Sequence, residues 1–210
     1  MRKSSEKHWN KVYRKNAVDG LGWYEESPAM SLKLITRSNI ARNDSILDIG
    51  CGASTLIDHL LDAGYSNITA TDISRAAIKK LKERLGESDA SRVSWIVDNV
   101  ANPTILRELK DIAFWHDRAV LHFLTAEQDR REYLSTLRQV VKTGGFVMIA
   151  AFSLAGAKKC SGLRIRNYDE KMLAEFLGSD FKLLEHFDYL YIMPSGDERP
   201  YVYTLFQRIS

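Results

Sequence analysis

The sequence predicts an α/β fold with three layers, in which a seven-stranded and mostly parallel sheet carries helices on both faces. Short apolar segments alternate with segments of helical periodicity from residue 46 to about residue 176. Such alternation is typical of parallel strands joined by helices that cover both faces of the sheet. Two further strand segments, 181–189 and 201–207, follow each other with only a turn between them. They predict a terminal hairpin, so one strand at the C-terminal end must run antiparallel to the rest.

Each predicted strand is an apolar run that ends at a polar or glycine-containing segment. The strands are predicted at residues 46–49, 67–72, 92–97, 111–116, 146–151, 181–189 and 201–207. Before the first strand, Trp9, Val12 and Tyr13 stand at helical spacing and predict a short amphipathic helix over residues 5–15.

Composition narrows the class of protein. The chain has 210 residues, 45% of them hydrophobic, which suits one packed domain. The net charge of +3 falls short of the basic excess of nucleic-acid-binding proteins, and no apolar stretch is long enough to span a bilayer. Cys51 and Cys160 are too far apart in sequence for a disulfide framework or a zinc motif. We therefore expect a cytoplasmic protein with no nucleic-acid partner, no membrane association and no metal.

The segment Ser45–Thr55 combines a predicted strand with a glycine turn. Its apolar run ends in Gly50 and Gly52, and a helical pattern follows at once. Glycine lets the backbone approach a ligand closely, and open α/β sheets bind ligands at the carboxyl ends of their strands. A dinucleotide site would place a third glycine where this chain has Thr55. The acid Asp48 suits a cation better than a phosphate.

The stretch Leu47–Gly52, Leu-Asp-Ile-Gly-Cys-Gly, resembles the first motif of class I S-adenosylmethionine (SAM) methyltransferases. SAM carries a positive sulfonium and a positive amino group and no phosphate, so an acidic loop suits it. The resemblance covers about residues 40–208 and implies the seven-stranded fold, SAM as cofactor and S-adenosylhomocysteine (SAH) as product. It implies one domain, with a helical lid over residues 1–38 and a Rossmann-like SAM-binding core over residues 39–210.

The resemblance also implies which residues bind the cofactor. In the first loop these are Asp48, Gly50, Cys51 and Gly52. Asp72 ends the second strand, where a carboxylate can accept both ribose hydroxyls, and Ile73 would lie beside the adenine. Asp98 and Asn99 end the third strand and are expected to bind the adenine amino group and ring. The alternatives are a helix-stabilising acid at Asp72 and a polar loop residue at Asp98.

The segment before the core is rich in aromatic residues. Tyr13, Trp23 and Tyr24 are candidates to close the site over SAM or over the acceptor. The alternative is that these side chains belong to helices packed on the sheet. The opening Trp-x-x-x-Tyr and the later Trp-Tyr-x-x-x-Pro are similar to small stand-alone bacterial methyltransferases.

Three polar residues follow the predicted end of the fourth strand, which in this fold faces the methyl group. We expect His116 to act as a general base and Asp117 to position SAM or the acceptor. Arg118 can bind an anionic group of the acceptor. The alternative is an internal Asp117–Arg118 pair with His116 packed beside it.

A polar, glycine-containing loop, residues 157–168, follows the fifth strand on the ligand side of the sheet. Arg164 and Arg166 alternate in phase and are candidates to bind an acidic or polar acceptor, although solvated charge is the commoner outcome. Cys160 is expected to be a wall residue, because direct methyl transfer needs no covalent enzyme intermediate.

The sequence therefore predicts a SAM-dependent methyltransferase whose acceptor is a small molecule. A protein lysine is the alternative acceptor, because the chain is more distantly similar to protein-lysine methyltransferases. A non-enzymatic SAM sensor or partner subunit is the alternative from another class. A nicotinamide oxidoreductase is opposed by Thr55 and by the terminal strand pair. The oligomeric state stays open.

Overall fold

The computed structural model describes residues 2–210, with side chains from residue 5 onward. The helices are α1 (Arg2–Lys15), α2 (Ala29–Ser38), α3 (Leu56–Asp62), α4 (Arg75–Ala90), α5 (Glu127–Val140) and α6 (Glu170–Leu177). The strands are β1 (Ile46–Ile49), β2 (Ile68–Asp72), β3 (Val93–Val97), β4 (Ile112–Arg118), β5 (Val141–Phe152), β6 (Lys159–Cys160), β7 (Leu163–Arg164), β8 (Phe181–Ile192) and β9 (Glu198–Arg208). Short 3₁₀ turns occupy Leu106–Glu108 and Leu121–Phe123.

Seven strands form one sheet in the order β3-β2-β1-β4-β5-β9-β8. Neighbours from β3 to β5 pair in parallel, and β9 pairs antiparallel with both β5 and β8. The prediction of a mostly parallel sheet with an antiparallel C-terminal strand is confirmed. The remaining two strands, β6 and β7, form a separate hairpin.

The sheet separates two apolar clusters, as alternation along its strands requires. Phe114 and Met148 belong to the cluster that packs against α2, α3 and α4. Trp115 and Val147, their neighbours in sequence, belong to the cluster that packs against α5 and α6. The three-layer arrangement is confirmed. None of the helices in the described part of the chain is long and apolar enough to cross a membrane.

The fourth strand ends later than the sequence predicts. It continues through His116 and Asp117 to Arg118 instead of ending at His116, and β5 pairs with it along that length. Because side chains alternate along a strand, His116 and Arg118 point to one face of the sheet and Asp117 to the other. The three polar residues therefore do not form one cluster at a strand tip, and this corrects the sequence-based expectation.

Candidate active site

A cavity of about 220 Å³ opens at the carboxyl ends of the parallel strands. Its lining comes from strand ends, the two loops that follow β3 and β4, the N-terminal segment, and the hairpin β6–β7. The lining includes Trp9, Tyr13, Trp23, Gly50, Thr71, Asp72, Ile73, Asp98, Asn99, Arg118, Ala119, Val120, Phe123, Asp129, Cys160 and Leu163.

The strand order places residues of opposite charge at the two ends of the cavity. Asp98, Asp72, Gly50 and Arg118 stand at the ends of four consecutive neighbours, β3, β2, β1 and β4. Adjacent strands lie about 4.8 Å apart, so the first and last of these positions are roughly 14 Å apart. One end of the cavity is therefore marked by carboxylates and the other, which we call the transfer end, by the guanidinium of Arg118.

The glycine turn after β1 needs its two glycines. Gly50 and Gly52 have φ of +64° and +57°, which side chains rarely adopt. A Cβ atom on Gly50 would lie 2.2 Å from Cγ2 of Val120, and one on Gly52 would lie 2.3 Å from the Tyr13 hydroxyl. Cys51 between them is buried. The turn thus lies tightly between the loop after β4 and the N-terminal helix.

Asp72 holds the second strand end rigid while keeping acceptor capacity. Its carboxylate accepts the Gly52 N–H at 2.9 Å and the Ser74 N–H at 2.7 Å. Burial raises the pKa of Asp72 to about 6. Each carboxylate oxygen still has a lone pair for a ligand hydroxyl, because an ionised carboxylate offers about four acceptor sites.

Asp98 is largely occupied by backbone donors. One oxygen accepts the N–H groups of Thr104, Ile105 and Leu106 at 2.8, 2.7 and 2.9 Å. The other accepts the Asn99 N–H at 2.8 Å. Asp98 therefore fixes the loop that carries the lining residues 98–101 and Leu106, in addition to facing the cavity itself.

His116 and Asp48 form a buried pair that does not line the cavity. Nδ1 of His116 lies 2.7 Å from Oδ1 of Asp48, and its Nε2 lies 2.9 Å from the Ser31 hydroxyl. The second oxygen of Asp48 is buried with no hydrogen-bond partner among the described residues. This pair ties β1, β4 and α2 together on the face opposite α5.

Asp117 lies behind the cavity wall. It is fully buried and accepts the Val120 N–H at 2.8 Å, the Leu121 N–H at 3.0 Å and the Tyr133 hydroxyl at 2.7 Å. Burial raises the pKa of Asp117 to about 6. These bonds hold the turn after β4, in which Ala119 has a left-handed φ of +70°.

The helix α1 forms one wall of the cavity. Ser5, Trp9 and Tyr13, spaced four residues apart, present one helix face to it. Asn10 attaches α1 to α4, because its side-chain oxygen accepts the Ala76 N–H at 3.1 Å and the Ser74 hydroxyl at 3.0 Å. Burial raises the pKa of Tyr13 well above its usual value.

Trp23 lines the cavity, whereas Tyr24 does not. The Trp9 ring meets Trp23 and Phe123 edge to face, with centroids 5.7 and 5.0 Å apart. The Tyr24 carbonyl accepts a hydrogen bond from the Tyr191 hydroxyl and so fixes the loop instead.

The hairpin β6–β7 brings Cys160 to the transfer end. Cys160 pairs with Leu163, and both line the cavity. Burial raises the pKa of the Cys160 thiol to about 11, so it is a neutral wall group at pH 7. Arg164 and Arg166 are exposed and lie outside the lining, and Arg166 packs on the Tyr168 ring.

Several residues of the site were not predicted from the sequence. Trp9 was recognised as part of a helix, and its spacing of four from Tyr13 was the signal that could have placed it in the site. Phe123 and Asp129 lie in and after the loop that follows β4, and no local pattern distinguishes them. Glu25, which pairs with Arg118, was also missed.

The lining fits a nucleoside that carries a positive charge. Asp72, Asp98 and Asp129 are acidic, and the rings of Trp9 and Trp23 attract cations. A buried Thr71 hydroxyl has no hydrogen-bond partner among the described residues and is available to a ligand. A phosphate would instead face the carboxylates.

Comparisons with known proteins agree with this chemistry. Residues 47–147 match the family profile described as a methyltransferase domain. The chain is 27% identical over 160 residues to EEF1A lysine methyltransferase 2 of Danio rerio, covering 70% of this chain and 68% of that protein. It is 26% identical over 191 residues to the same enzyme of Homo sapiens, covering 85% and 74%.

Solved structures share the fold. A SAM-dependent methyltransferase from Anabaena variabilis superposes with a TM-score of 0.76 at 14% identity, covering 99% of this chain and 94% of that one. The N-methyltransferase NodS from Bradyrhizobium japonicum, in complex with SAH, gives 0.71 at 14% identity, covering 97% and 100%.

The fold and the cavity define an enzyme that binds a nucleoside at the carboxyl edge of its sheet. Residues 47–147 carry a methyltransferase domain, and the solved structures share the fold of class I methyltransferases. The chain is a SAM-dependent methyltransferase, and its cofactor is SAM.

Proposed function

We propose that the protein transfers the methyl group of SAM to a small molecule. The observation that carries this proposal is that separate segments of the chain line the cavity beyond the strand ends. Trp9 and Trp23 line the cavity from the N-terminal segment, and Cys160 and Leu163 line it from the hairpin β6–β7. A concave pocket with a mostly apolar lining and a few placed polar groups suits a small ligand.

The protein's part in the reaction is alignment and exclusion of water. SAM, when bound, supplies a methyl group on a sulfonium that is already a good leaving group. Asp72 holds the nucleoside, and the turn at Gly50 lets the backbone approach it closely. Phe123 and Leu163 keep water from the transfer end, so that much of the rate enhancement comes from orientation.

In this proposal His116 and Asp117 are positioning residues. Neither lines the cavity, so neither reaches a reacting atom by the geometry a general base requires. His116 orders α2 against the sheet, and Asp117 holds the turn that presents Ala119 and Val120 to the cavity. The acceptor is then one that reacts without losing a proton to these side chains.

A protein lysine is the second candidate acceptor. It is favoured by the relatives, because EEF1A lysine methyltransferase 2 is named for a lysine of a protein. The N-terminal aromatic residues and the hairpin would then surround the lysine side chain at the mouth of the cavity.

Transfer of label from methyl-labelled SAM separates the two candidates. Purified enzyme is incubated with a cell extract split by ultrafiltration into small molecules and proteins, and with purified elongation factor 1A. We expect label in the small-molecule fraction, and none with Asp72→Ala. Label that enters only protein would overturn the proposal and support the lysine candidate.

A further inference from the structure

The Arg118 guanidinium is held in a fixed position at the transfer end. Its Nε donates to the Tyr203 hydroxyl at 3.1 Å and lies 3.0 Å from Oε2 of Glu25. Its Nη1 donates to the Trp23 carbonyl at 3.0 Å. The guanidinium also lies 5.2 and 5.3 Å from the ring centroids of Tyr191 and Tyr201. Contacts from several directions thus fix the fork of Arg118.

One end of this fork has no protein partner. The Arg118 side chain is 10% exposed, and its Nη2 is buried with no hydrogen-bond partner among the described residues. Arg118 lines the cavity, whereas Arg164 and Arg166 do not. A buried N–H of a charged group is costly to leave unpaired, so a ligand that accepts a hydrogen bond there is favoured.

The charges at this end favour an anion when the cofactor is bound. Glu25, 11% exposed in its side chain, neutralises Arg118. The sulfonium then adds one positive charge in a confined and poorly hydrated space. An anionic acceptor restores neutrality, and opposite charges attract more strongly where the effective dielectric constant is low.

We propose that Arg118 is a specificity-determining residue that selects acceptors carrying an oxygen anion, which accepts a hydrogen bond from Nη2. This inference rests on the proposed function, since it specifies the small molecule. The carboxylate of SAM itself has the same chemistry, so the test must separate the two oxygen anions. The aromatic and apolar walls at Trp23, Phe123 and Leu163 indicate that a ring can accompany the anion.

Binding of benzoate to the SAM complex tests the inference, with benzyl alcohol as the uncharged analogue and with the SAH complex, which lacks the sulfonium charge, as the comparison. Trp9 and Trp23 line the cavity and report occupancy by fluorescence, and calorimetry gives the affinity. We expect benzoate to bind more tightly than benzyl alcohol. In Arg118→Lys, benzoate should bind about tenfold more weakly, because the oriented Nη2 donor is lost. Benzyl alcohol and SAH affinities should not change.

Glu25→Gln should have the opposite effect and increase the affinity for benzoate severalfold, because it removes the negative charge that competes for Arg118. Tyr203→Phe keeps the guanidinium but loosens its position, and should weaken benzoate about threefold. Tyr203→Phe is the substitute test if the Arg118→Lys variant does not fold. Arg164→Lys is the matched control and should change nothing, since Arg164 is exposed outside the lining.

Three results would overturn the inference. The first is equal binding of benzoate and benzyl alcohol by the wild type. The second is equal benzoate binding by the wild type and Arg118→Lys. The third is weaker SAH binding by Arg118→Lys with unchanged binding of 5′-methylthioadenosine, which lacks the carboxylate; that pattern would assign Nη2 to the cofactor. None of these results depends on the label-transfer experiment, so the proposed function is judged separately.

Discussion

The two ends of the cavity are built in different ways. At the carboxylate end, Asp72 accepts the N–H of Ser74, two residues away, and that of Gly52, 20 residues away, and Asp98 accepts that of Leu106, eight residues away. At the transfer end, Arg118 donates to Tyr203 and Trp23, which are 85 and 95 residues away. The carboxylates at the cofactor end are therefore held by bonds of shorter range, whereas the transfer end depends on segments brought together by the whole fold.

The two ends of the cavity therefore have different roles: one binds the cofactor and the other selects the acceptor. The cofactor end is built mainly from successive strand–helix units, with Tyr13 of α1 packed against its glycine turn. The transfer end is assembled from the N-terminal segment, the hairpin β6–β7 and the C-terminal strands. The hairpin and the C-terminal strands can vary without altering the hydrogen bonds of Asp72 and Asp98. Substitutions at the transfer end would therefore change which acceptor is methylated, while the methyl transfer from SAM would stay the same.

The largest effect should come from Gly50→Ala. The left-handed φ costs about 1–2 kcal/mol and the clash with Val120 about 1–3 kcal/mol more. We expect Gly50→Ala to lower both the free energy of unfolding and the affinity for SAH. Gly64→Ala is the control, because Gly64 also has positive φ but its Cβ would meet open space. Urea unfolding and SAH calorimetry measure both. Equal losses in the two variants would mean that the contact with Val120 does not confine the turn.

Asp72→Asn should weaken SAH binding about tenfold to a hundredfold while most of the fold persists. The loss follows from replacing charge-assisted hydrogen bonds with neutral ones, and the Asn NH₂ also faces a backbone donor. Calorimetry with SAH and 5′-methylthioadenosine checks this, and both should weaken alike. A change for SAH alone would mean that Asp72 acts on the amino-acid part, and the cofactor end would not be arranged as described.

The pH dependence of SAH binding is a second test of whether the Asp72 carboxylate binds the cofactor. Burial raises the pKa of Asp72 to about 6, so the carboxyl is protonated below that pH and offers one acceptor fewer. A ligand that binds the ionised form must displace the proton, so affinity should fall about tenfold per pH unit as pH drops below about 6. Asp117 titrates in the same range. The Asp72→Asn variant still contains Asp117, and its SAH binding should no longer depend on pH in this range. If the pH dependence persists in this variant, Asp117 is responsible for it.

Tyr133→Phe should reduce stability and spare SAH binding. The Tyr133 hydroxyl accepts the Trp115 indole N–H at 2.9 Å and donates to Asp117. Its removal leaves that buried N–H unpaired, at a cost of about 1–3 kcal/mol in the free energy of unfolding. Asp117 retains the N–H groups of Val120 and Leu121. A large loss of SAH affinity would show that the turn after β4 depends on this hydroxyl.

The smallest effect should come from Ser31→Ala, at about 1 kcal/mol of stability, since it leaves His116 without its second partner. SAH binding should not change, because none of these groups lines the cavity. Ser38→Ala, which removes a bond within α2 to the Ile35 carbonyl, is the control. Once an acceptor is known, a shift in the pH–rate profile of Ser31→Ala but not Ser38→Ala would restore His116 as a catalytic base.

The sequence was sufficient where the physics is local. The sheet and its antiparallel strand follow from strand periodicity and from the terminal strand pair. The cofactor class is what the resemblance of Leu47–Gly52 to the methyltransferase motif implies. Gly50, Asp72, Asp98 and Asn99 line the cavity as strand-end residues should. The prediction was weakest at β4, where two extra strand residues change which face His116 and Asp117 meet.

The transfer end could not be derived in this way. The Glu25–Arg118 pair joins residues whose proximity depends on where the N-terminal segment crosses the sheet. The unpaired Nη2 follows from the positions of Tyr203 and Trp23, and no local pattern encodes these. From the sequence, Cys160 was expected in a lid or a wall; in the structure it lines the cavity, where a two-residue turn at Ser161 and Gly162 joins β6 to β7.

The attachment of α1 through Asn10 has a kinetic consequence. Release of SAH across that wall requires α1 to leave α4, which breaks the bonds of Asn10 to Ser74 and Ala76 and that of Lys80 to the Asn16 carbonyl. SAH that leaves by this route stays bound for as long as the attachment of α1 lasts. An enzyme in which α1 is attached more weakly would exchange SAH faster and would shield its methyl donor less well from water.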